Sequence, residues 1–532
     1  MGALPFRHFP ALFARPTVSS LRSDALLKVV SVTAYAIEKI SLTESKCERE
    51  LELNLLKCYL SMIPRTVLQD YVDKLESYWY KVYSDLPVNM GSIIIELMLL
   101  PGLTHFYTRR WMGVLEIDLY EKITHCSTLR ALSLSTMPVC HADVDHLTNV
   151  IQRFHRLQSL TLIPFEEGLS FHWAFGPVAQ HCRDLRELYI AYQGNAFSDE
   201  ARGVEQLSQC RGLQSLWLFD ISKYTQPQRD KVCILLRELS NLKFFFHREM
   251  IPAILQLKED KQVEGRKLAL EHLDTWLEDF HLDISPKIRV KPLGLFRTVL
   301  CPESLLSLVD SCPSIKRLTL GRPPSCIDKV VTALPHLRTL ELFESELRTC
   351  RLGDALLKDG LLRHLTVLGL TEIPDLDYEF FSILANECPV LEVLNISRSC
   401  ISREGRLNVP NIRPFAFPCL RELTLTRRVD TLISEGVSTF RGVWHMGRAL
   451  LLYLLTGSFK ISKIHVQFDM FQLEQSDIPS WEFLKEVILP FDRLTCLHLI
   501  NPPDYEEEKM LSFIRCINRS LVRYVIEYFT FM

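Results

Sequence analysis

Glycine is scarce in this chain, 20 of 532 residues, and no Gly-rich loop of the phosphate-cradling kind occurs. Nucleotide-binding readings that depend on such loops fall away with it. Gly-x-Ser-x-Gly, His-Glu-x-x-His and paired Cys-x-x-Cys are also missing, which removes the nucleophile elbow, the zinc-protease helix and the common zinc frameworks. No charge of one sign dominates: a net charge of −3 leaves no broad basic field, so nucleic acid is not an expected partner. The charged stretch 259–267 carries both signs and reads as a solvated loop. Long apolar runs are lacking too. The longest, Ile93–Leu100 and Ala449–Leu455, are far too short to span a bilayer, and no membrane association is expected. Residues 1–19 lack the apolar core of a secretory signal, and Phe6 stands where a myristoylation signal needs Ser or Thr. The sixteen cysteines are therefore expected as thiols, in the cytoplasm or nucleus.

Leucine, by contrast, is abundant and regularly placed. The frame L-x-x-L-x-L occurs at Leu129/Leu132/Leu134, Leu157/Leu160/Leu162, Leu185/Leu188/Ile190 and Leu213/Leu216/Leu218, each copy beginning 28 residues after the last. It returns at Ile315/Leu318/Leu320, Leu337/Leu340/Leu342, Leu365/Leu368/Leu370, Leu391/Leu394/Ile396 and Leu420/Leu423/Leu425. Weaker copies stand at Leu103/Phe106, Leu242/Phe245, Leu277/Phe280/Leu282, Ile461/Ile464/Val466, Leu494/Leu497/Leu499 and Leu521/Tyr524/Ile526. Each L-x-L predicts a short strand with alternate side chains turned inward. The rest of each unit returns over the opposite side, with helices expected around Val144–Phe154, Glu379–Asn386 and Trp444–Leu455. One such unit cannot bury its own apolar face, so neighbours must stack. The fold class is α/β: a leucine-rich-repeat solenoid with a parallel concave sheet, a mostly helical convex side and an N-terminal helical segment. The expected divisions are 1–100 helical, 101–249 repeats, 250–313 an irregular repeat with long loops, and 314–532 repeats with a C-terminal cap.

Five repeats carry a cysteine three residues before the first leucine: Cys126, Cys182, Cys210, Cys312 and Cys388. Equivalent positions lie along the solenoid axis, one sulfur per repeat, so the column is expected to be small buried side chains and not metal ligands. The pattern Cys-x-x-Leu-x-x-Leu-x-Leu resembles the cysteine-containing repeats of ubiquitin-ligase substrate receptors. The regular Asn or Cys that follows the strand in that family is missing here. Two N-terminal segments extend the resemblance. The run Ser20 to Val29 is similar to the Elongin-binding box, with Ser20 expected as a helix cap and Leu21, Ala25 and Val29 on one stripe. The family more often has Cys where Ala25 stands. The run Ile63-Pro64-Arg-Thr-Val67-Leu-Gln-Asp-Tyr71 resembles the cullin box, with Pro64 suited to a helix start; Ile63–Leu75 with Trp79 also resembles an F-box. The resemblance implies adaptor binding, to Elongin B/C and a cullin or to an F-box adaptor, through Leu21, Ala25, Val29, Ile63, Pro64, Val67 and Tyr71. A plain helical cap on the first repeat is the other reading of residues 1–100.

No constellation suggests catalysis, and neither enzyme activity nor a cofactor is expected. Cys140, His141 and His146 cluster after a strand, and Asp279, His281 and Asp283 alternate along another; ordinary loop and concave-face polarity accounts for both. The residue between the two leucines should face outward on the concave side, which gives the column Ser133, Thr161, Tyr189, Trp217, Phe246, Thr319 and Glu341. Tyr189, Trp217 and Phe246 are expected as an aromatic ladder flanked by Phe219 and Phe244. Glu187 beside them is placed to pair with a basic group of a bound target protein.

Overall fold

In a pleated strand, successive side chains leave on opposite faces, so an L-x-L triplet commits one face to the interior. In the computed structural model these frames lie on short parallel strands. The structure describes residues 18–82, 88–107, 123–134, 144–162, 174–192, 204–220, 229–260, 267–274, 300–323, 326–343, 362–399, 416–427, 448–468, 480–500, 507–517 and 523–527, with 276–277, 282–285, 288–290, 296–297 and 401, apart from positions 44, 101, 248, 374, 375 and 457. The chain forms two compact units, Met1–Gln226 and Pro227–Met532.

The first unit begins with four helices, α1 (Val18–Leu42), α2 (Lys46–Leu60), α3 (Arg65–Val82) and α4 (Val88–Met98). Helix α1 starts at Val18, so Ser20 lies within its first turn and not at the cap; helix ends read from sequence are uncertain by a residue or two. Its Leu26, Val30, Ala34, Ile37 and Ile40 recur at helical spacing and are buried, packing α1 against α3 and α4. Tyr71 of α3 is fully buried, its hydroxyl 3.3 Å from Thr33 Oγ1. A Lys57–Glu96 ion pair ties α2 to α4.

Strands β1 (His105–Tyr107), β2 (Ala131–Leu134), β3 (Ser159–Leu162), β4 (Glu187–Tyr192) and β5 (Ser215–Asp220) follow in parallel order. Helices α5 (Val144–Arg153) and α6 (Phe175–His181) and a 3₁₀ turn, Val204–Gln209, make the returns. An edge strand leaves backbone groups open. Here Gln69 of α3 closes β1: its Oε1 accepts from His105 N–H at 3.0 Å, and its Nε2 donates to the His105 carbonyl at 3.1 Å. Gln69 thus satisfies backbone groups of His105 on that strand. Every leucine and isoleucine of the four evenly spaced frames is at most 1% exposed. Each such side chain contributes about 1.5–3 kcal/mol by leaving water.

In the second unit, α7 (Arg229–Glu238), β6 (Phe244–Phe246) and α8 (Met250–Glu259) precede a nine-stranded parallel sheet that opens with β7 (His272–Asp274). Between β7 and α9 (Pro302–Ser311) the chain makes an excursion of short strands, β8 (Trp276–Leu277), β9 (Leu282–Ser285), β10 (Ile288–Val290) and β11 (Phe296–Arg297). They pair antiparallel, β9 with β10 and β8 with β11. The repeat strand expected at Leu277/Phe280/Leu282 is therefore displaced. Leu270 and Leu273 supply that frame, with Leu273 in register with Leu318; its third position is Thr275, which hid it from the leucine pattern. The sheet continues through β12 (Arg317–Gly321), α10 (Ile327–Thr332), β13 (Thr339–Phe343), β14 (Val367–Thr371), α11 (Tyr378–Glu387), β15 (Val393–Ser399), β16 (Glu422–Arg427), α12 (Arg448–Leu455), β17 (Lys463–Gln467), α13 (Trp481–Ile488), β18 (Cys496–Ile500), α14 (Glu507–Ile517) and β19 (Arg523–Glu527). Both units are leucine-rich repeats, and the frames coincide with β12 to β19. No helix among the described residues is long and apolar enough to cross a membrane.

Candidate functional site

The parallel register stacks the residues between paired leucines into columns. In the first unit the column runs Tyr107, Ser133, Thr161, Tyr189, Trp217, adding Tyr107 to the expected set. Tyr189 and Trp217 form the aromatic pair anticipated from sequence: ring centroids are 5.9 Å apart and the planes are 26° from parallel. Trp217 Nε1 donates to Ser215 Oγ at 2.9 Å, which fixes the indole along the strand. Burial pushes the Tyr189 hydroxyl up to about 12; a hydrogen bond with Ser215 opposes that shift and Glu187 adds to it. Trp217 is half-buried and Glu187 is exposed.

The outward column is less open than its pattern suggests. Ser133, Thr161 and Tyr189 are buried, because strands ~4.8 Å apart let large side chains shield small ones, and Thr161 has Tyr189 as its register neighbour. Phe219 is in register with Ala191, but its side chain lies outside the described residues.

The remaining members of the expected ladder belong to the second unit. Phe244 and Phe246 are half-buried on β6, while Phe245 between them points into the core. Phe244 meets His272, with ring centroids 3.7 Å apart. Burial, reinforced by Arg317, lowers His272 to about 4. From there the column turns polar: Asp274, Thr319, Glu341, Gly369, Asn395, Thr424, His465, His498. Arg317 pairs with Glu341 at 2.8 Å, and Thr319 Oγ1 donates to the same carboxylate at 3.1 Å. Burial raises Asp274 above the usual carboxylate range, against the pull of Arg317 and Thr319. His465 and His498 stack with centroids 4.2 Å apart. These members could have been read from the frames Ile464/Val466 and Leu497/Leu499, whose middle residues they are. Only Asp274 needed the displaced strand.

Gly369 makes room for this cluster. A Cβ there would lie 2.9 Å from Glu341 Cγ, too near the backbone for the carboxylate to swing clear. We expect Gly369→Ala to push Glu341 off Arg317 and to cost about 1–3 kcal/mol, read as a lower urea midpoint; an unchanged midpoint would show that the ion pair adapts freely.

The helices hold the other candidate positions. Leu21 lies on α1, its side chain outside the described residues; Ala25 is exposed and Val29 half-buried. Pro64 is exposed at the start of α3, and its carbonyl accepts from Val67 and Leu68 N–H groups at 2.8 and 3.0 Å. Ile63 and Val67 are half-buried. Tyr71 is in the core and offers an adaptor no surface, because the turn that carries Ile63 and Val67 outward rotates Tyr71 onto α1. Cys126, Cys182, Cys210, Cys312 and Cys388 are all buried thiols. Cys140 and His141, Asp279 and His281 lie outside the described residues, as do the His146 and Asp283 side chains; Asp283 is on β9, in backbone register with Arg289 of β10. Among the described residues no group of three or more His, Cys, Asp or Glu side chains could hold a metal ion.

No family model and no curated protein matches this chain. Among solved structures it is similar to that of the Rad7 and Elc1 complex in yeast, at 14% identity and a TM-score of 0.39, covering 74% of this chain and 97% of that one. It is also similar to the leucine-rich repeat-containing protein LegL7 from Legionella pneumophila, at 14% identity and a TM-score of 0.29, covering 60% of this chain and 88% of that one. What the repeat geometry itself shows is a leucine-rich-repeat fold.

Proposed function

We propose that this protein is a substrate-recognition subunit of a cullin-type ubiquitin ligase, in which the N-terminal helices dock an Elongin B/C adaptor and the concave columns hold the target. The observation that carries the reading is the division of labour on α1. Its core stripe is Leu26, Val30, Ala34, Ile37 and Ile40, whereas the box stripe contains exposed Ala25 and half-buried Val29. Helical spacing sets position 21 in line with that second stripe. The contact that closes β1 is made by Gln69 of α3, so closing that strand does not consume the box. On the target side, the Tyr189–Trp217 pair and exposed Glu187 supply a rigid aromatic anchor beside an acid.

The test is co-purification of the full chain with Elongin B/C, alongside an F-box adaptor. Leu21→Asp is expected to lower capture at least a hundredfold by placing a charge in an apolar pocket, with an unchanged far-ultraviolet circular dichroism spectrum. Failure of the wild-type chain to retain Elongin B/C would overturn the adaptor reading.

A further inference from the structure

Exposed large apolar side chains are unevenly distributed. Of the thirteen found among the described residues, eight fall between residues 27 and 62. Four belong to α1: Leu27, Val32, Tyr35 and Leu42, and the last three are 62%, 70% and 80% exposed. Single exposed leucines are ordinary, but a contiguous series on one helix marks an interaction surface.

The spacing of the series identifies its form. Ala25, Lys28, Val32, Tyr35, Lys39 and Leu42 follow one another at intervals of three, four, three, four and three, the alternation of a heptad seam. All six are exposed. They lie opposite the buried stripe Leu26, Val30, Ile37 and Ile40, so the helix, which packs with α2, α3 and α4, has a buried inner seam and an exposed outer one. At 1.5 Å per residue the outer seam is about 26 Å long, which suits a companion helix of similar length better than a single side-chain pocket. Its charges are of one sign. Lys28 and Lys39 are the exposed charged side chains on α1 between residues 25 and 42, the acid of that stretch, Glu38, being half-buried and off the seam, and no acid pairs with either lysine among the described residues. An apolar seam punctuated by two unpaired ammonium groups is complementary to an amphipathic helix with acids flanking its own seam.

We propose that the outward face of α1, from Ala25 to Leu42, is a docking surface for an acidic amphipathic helix of a partner protein, with Val32, Tyr35 and Leu42 as the apolar contacts and Lys28 and Lys39 setting the charge. This surface goes beyond the adaptor box, of which it shares only Ala25, and it stands whether or not Leu21 engages Elongin B/C.

The probe is a synthetic helical peptide of about two and a half heptads, matching the seam, with Leu at both seam positions and Glu at the flanking positions, set against a counterpart with Lys at the flanks. Fluorescence anisotropy with the full chain should show the acidic peptide binding at least tenfold more tightly than the basic one. Val32→Ser with Tyr35→Ser should weaken it about tenfold at unchanged circular dichroism, because neither side chain is in the core. Lys28→Glu with Lys39→Glu should reverse the order of the two peptides, a result that misfolding cannot produce. Equal binding of both peptides, or binding indifferent to Val32 and Tyr35, would overturn the proposal. So would a dimer in sedimentation that Val32→Ser with Tyr35→Ser dissociates, since the occupant would then be a second copy. Leu21→Asp should leave peptide binding intact, so failure of the adaptor reading and failure of this one are separately visible.

Discussion

Between pH 9 and pH 11 the protein should lose stability with unusual steepness, through the buried cysteine column. Burial pushes Cys182, Cys312 and Cys388 from the ordinary 9.0 up to about 12, and Cys126 and Cys210 up to about 11. Cys210 and Glu387 add smaller contributions at Cys182 and Cys388, and Lys267 opposes the shift at Cys312. The unfolded chain ionises each thiol near 9, while the folded chain keeps the proton until 11 or 12. Below pH 9 both states are protonated and the full stability is present. Above it the unfolded state binds fewer protons, so stability falls as pH rises, until the folded thiols themselves ionise. The slope is about 1.4 kcal/mol per pH unit for each thiol. Cys126, Cys182 and Cys210 all lie in the first unit, which gives about 4 kcal/mol per pH unit there, a large fraction of the 5–15 kcal/mol typical of a domain. Tyr71 and Tyr189, both raised from 10.0 to about 12 by burial, steepen the loss above pH 10. Urea midpoints at pH 8, 9, 10 and 10.5 measure it. Cys182→Ala with Cys210→Ala should remove roughly two of the three protons from the slope, even though the cavities lower stability at pH 8. An unchanged slope would mean that these thiols are not shielded in the folded protein. The same shift predicts slow labelling at neutral pH. Raising a thiol from 9.0 to about 12 cuts its thiolate fraction roughly a thousandfold.

The repeats were legible because each states its own geometry locally. Leu185, Leu188 and Ile190 specify a strand and its inner face without reference to any distant residue, and the cysteine three positions earlier marks the corner before it. Legibility ended where a property depended on neighbours. That Trp217 stands beside Tyr189 follows from the 28-residue step. That Thr161 is nevertheless buried depends on the bulk beside it, which a single frame does not contain. The strand His272–Asp274 was missed because Thr275 occupies the third apolar position, and Asp274, a buried carboxyl of the concave column, was missed with it. In the helices the apolar period of α1 was plain. Which of its two seams faces inward was not, since Val30 and Val32 are equally apolar and only contact with α3 and α4 distinguishes them. Nor could sequence show that Gln69 closes the edge of β1, a bond between residues 36 positions apart.

Along β5, substitutions at two adjacent residues should separate folding from binding. Leu216 is fully buried and is in register with Leu188. Leu216→Ala removes its transfer free energy and leaves a cavity between stacked repeats that cannot collapse freely, so a loss of about 2–5 kcal/mol is expected. Because each repeat contacts only its neighbours, that loss should open the first unit and not stop at one strand. Trp217 points the other way. Its ring stacks on Tyr189 and its Nε1 donates to Ser215, contacts worth about 0.5–1.5 kcal/mol for the stack and a similar amount for the hydrogen bond. Trp217→Ala should therefore lower the melting temperature less than Leu216→Ala does. On the proposed reading of the concave face it should also weaken a captured target by about 2 kcal/mol, a loss of roughly thirtyfold in affinity. Trp217→Phe should recover part of the affinity through the retained stack, although it cannot donate to Ser215. Thermal melts of the three variants give the first comparison, and titration of the target against each gives the second. If Trp217→Ala melts as early as Leu216→Ala, the indole belongs to the core; if it melts late but binds its target as tightly as the wild type, the Tyr189–Trp217 pair is not the anchor.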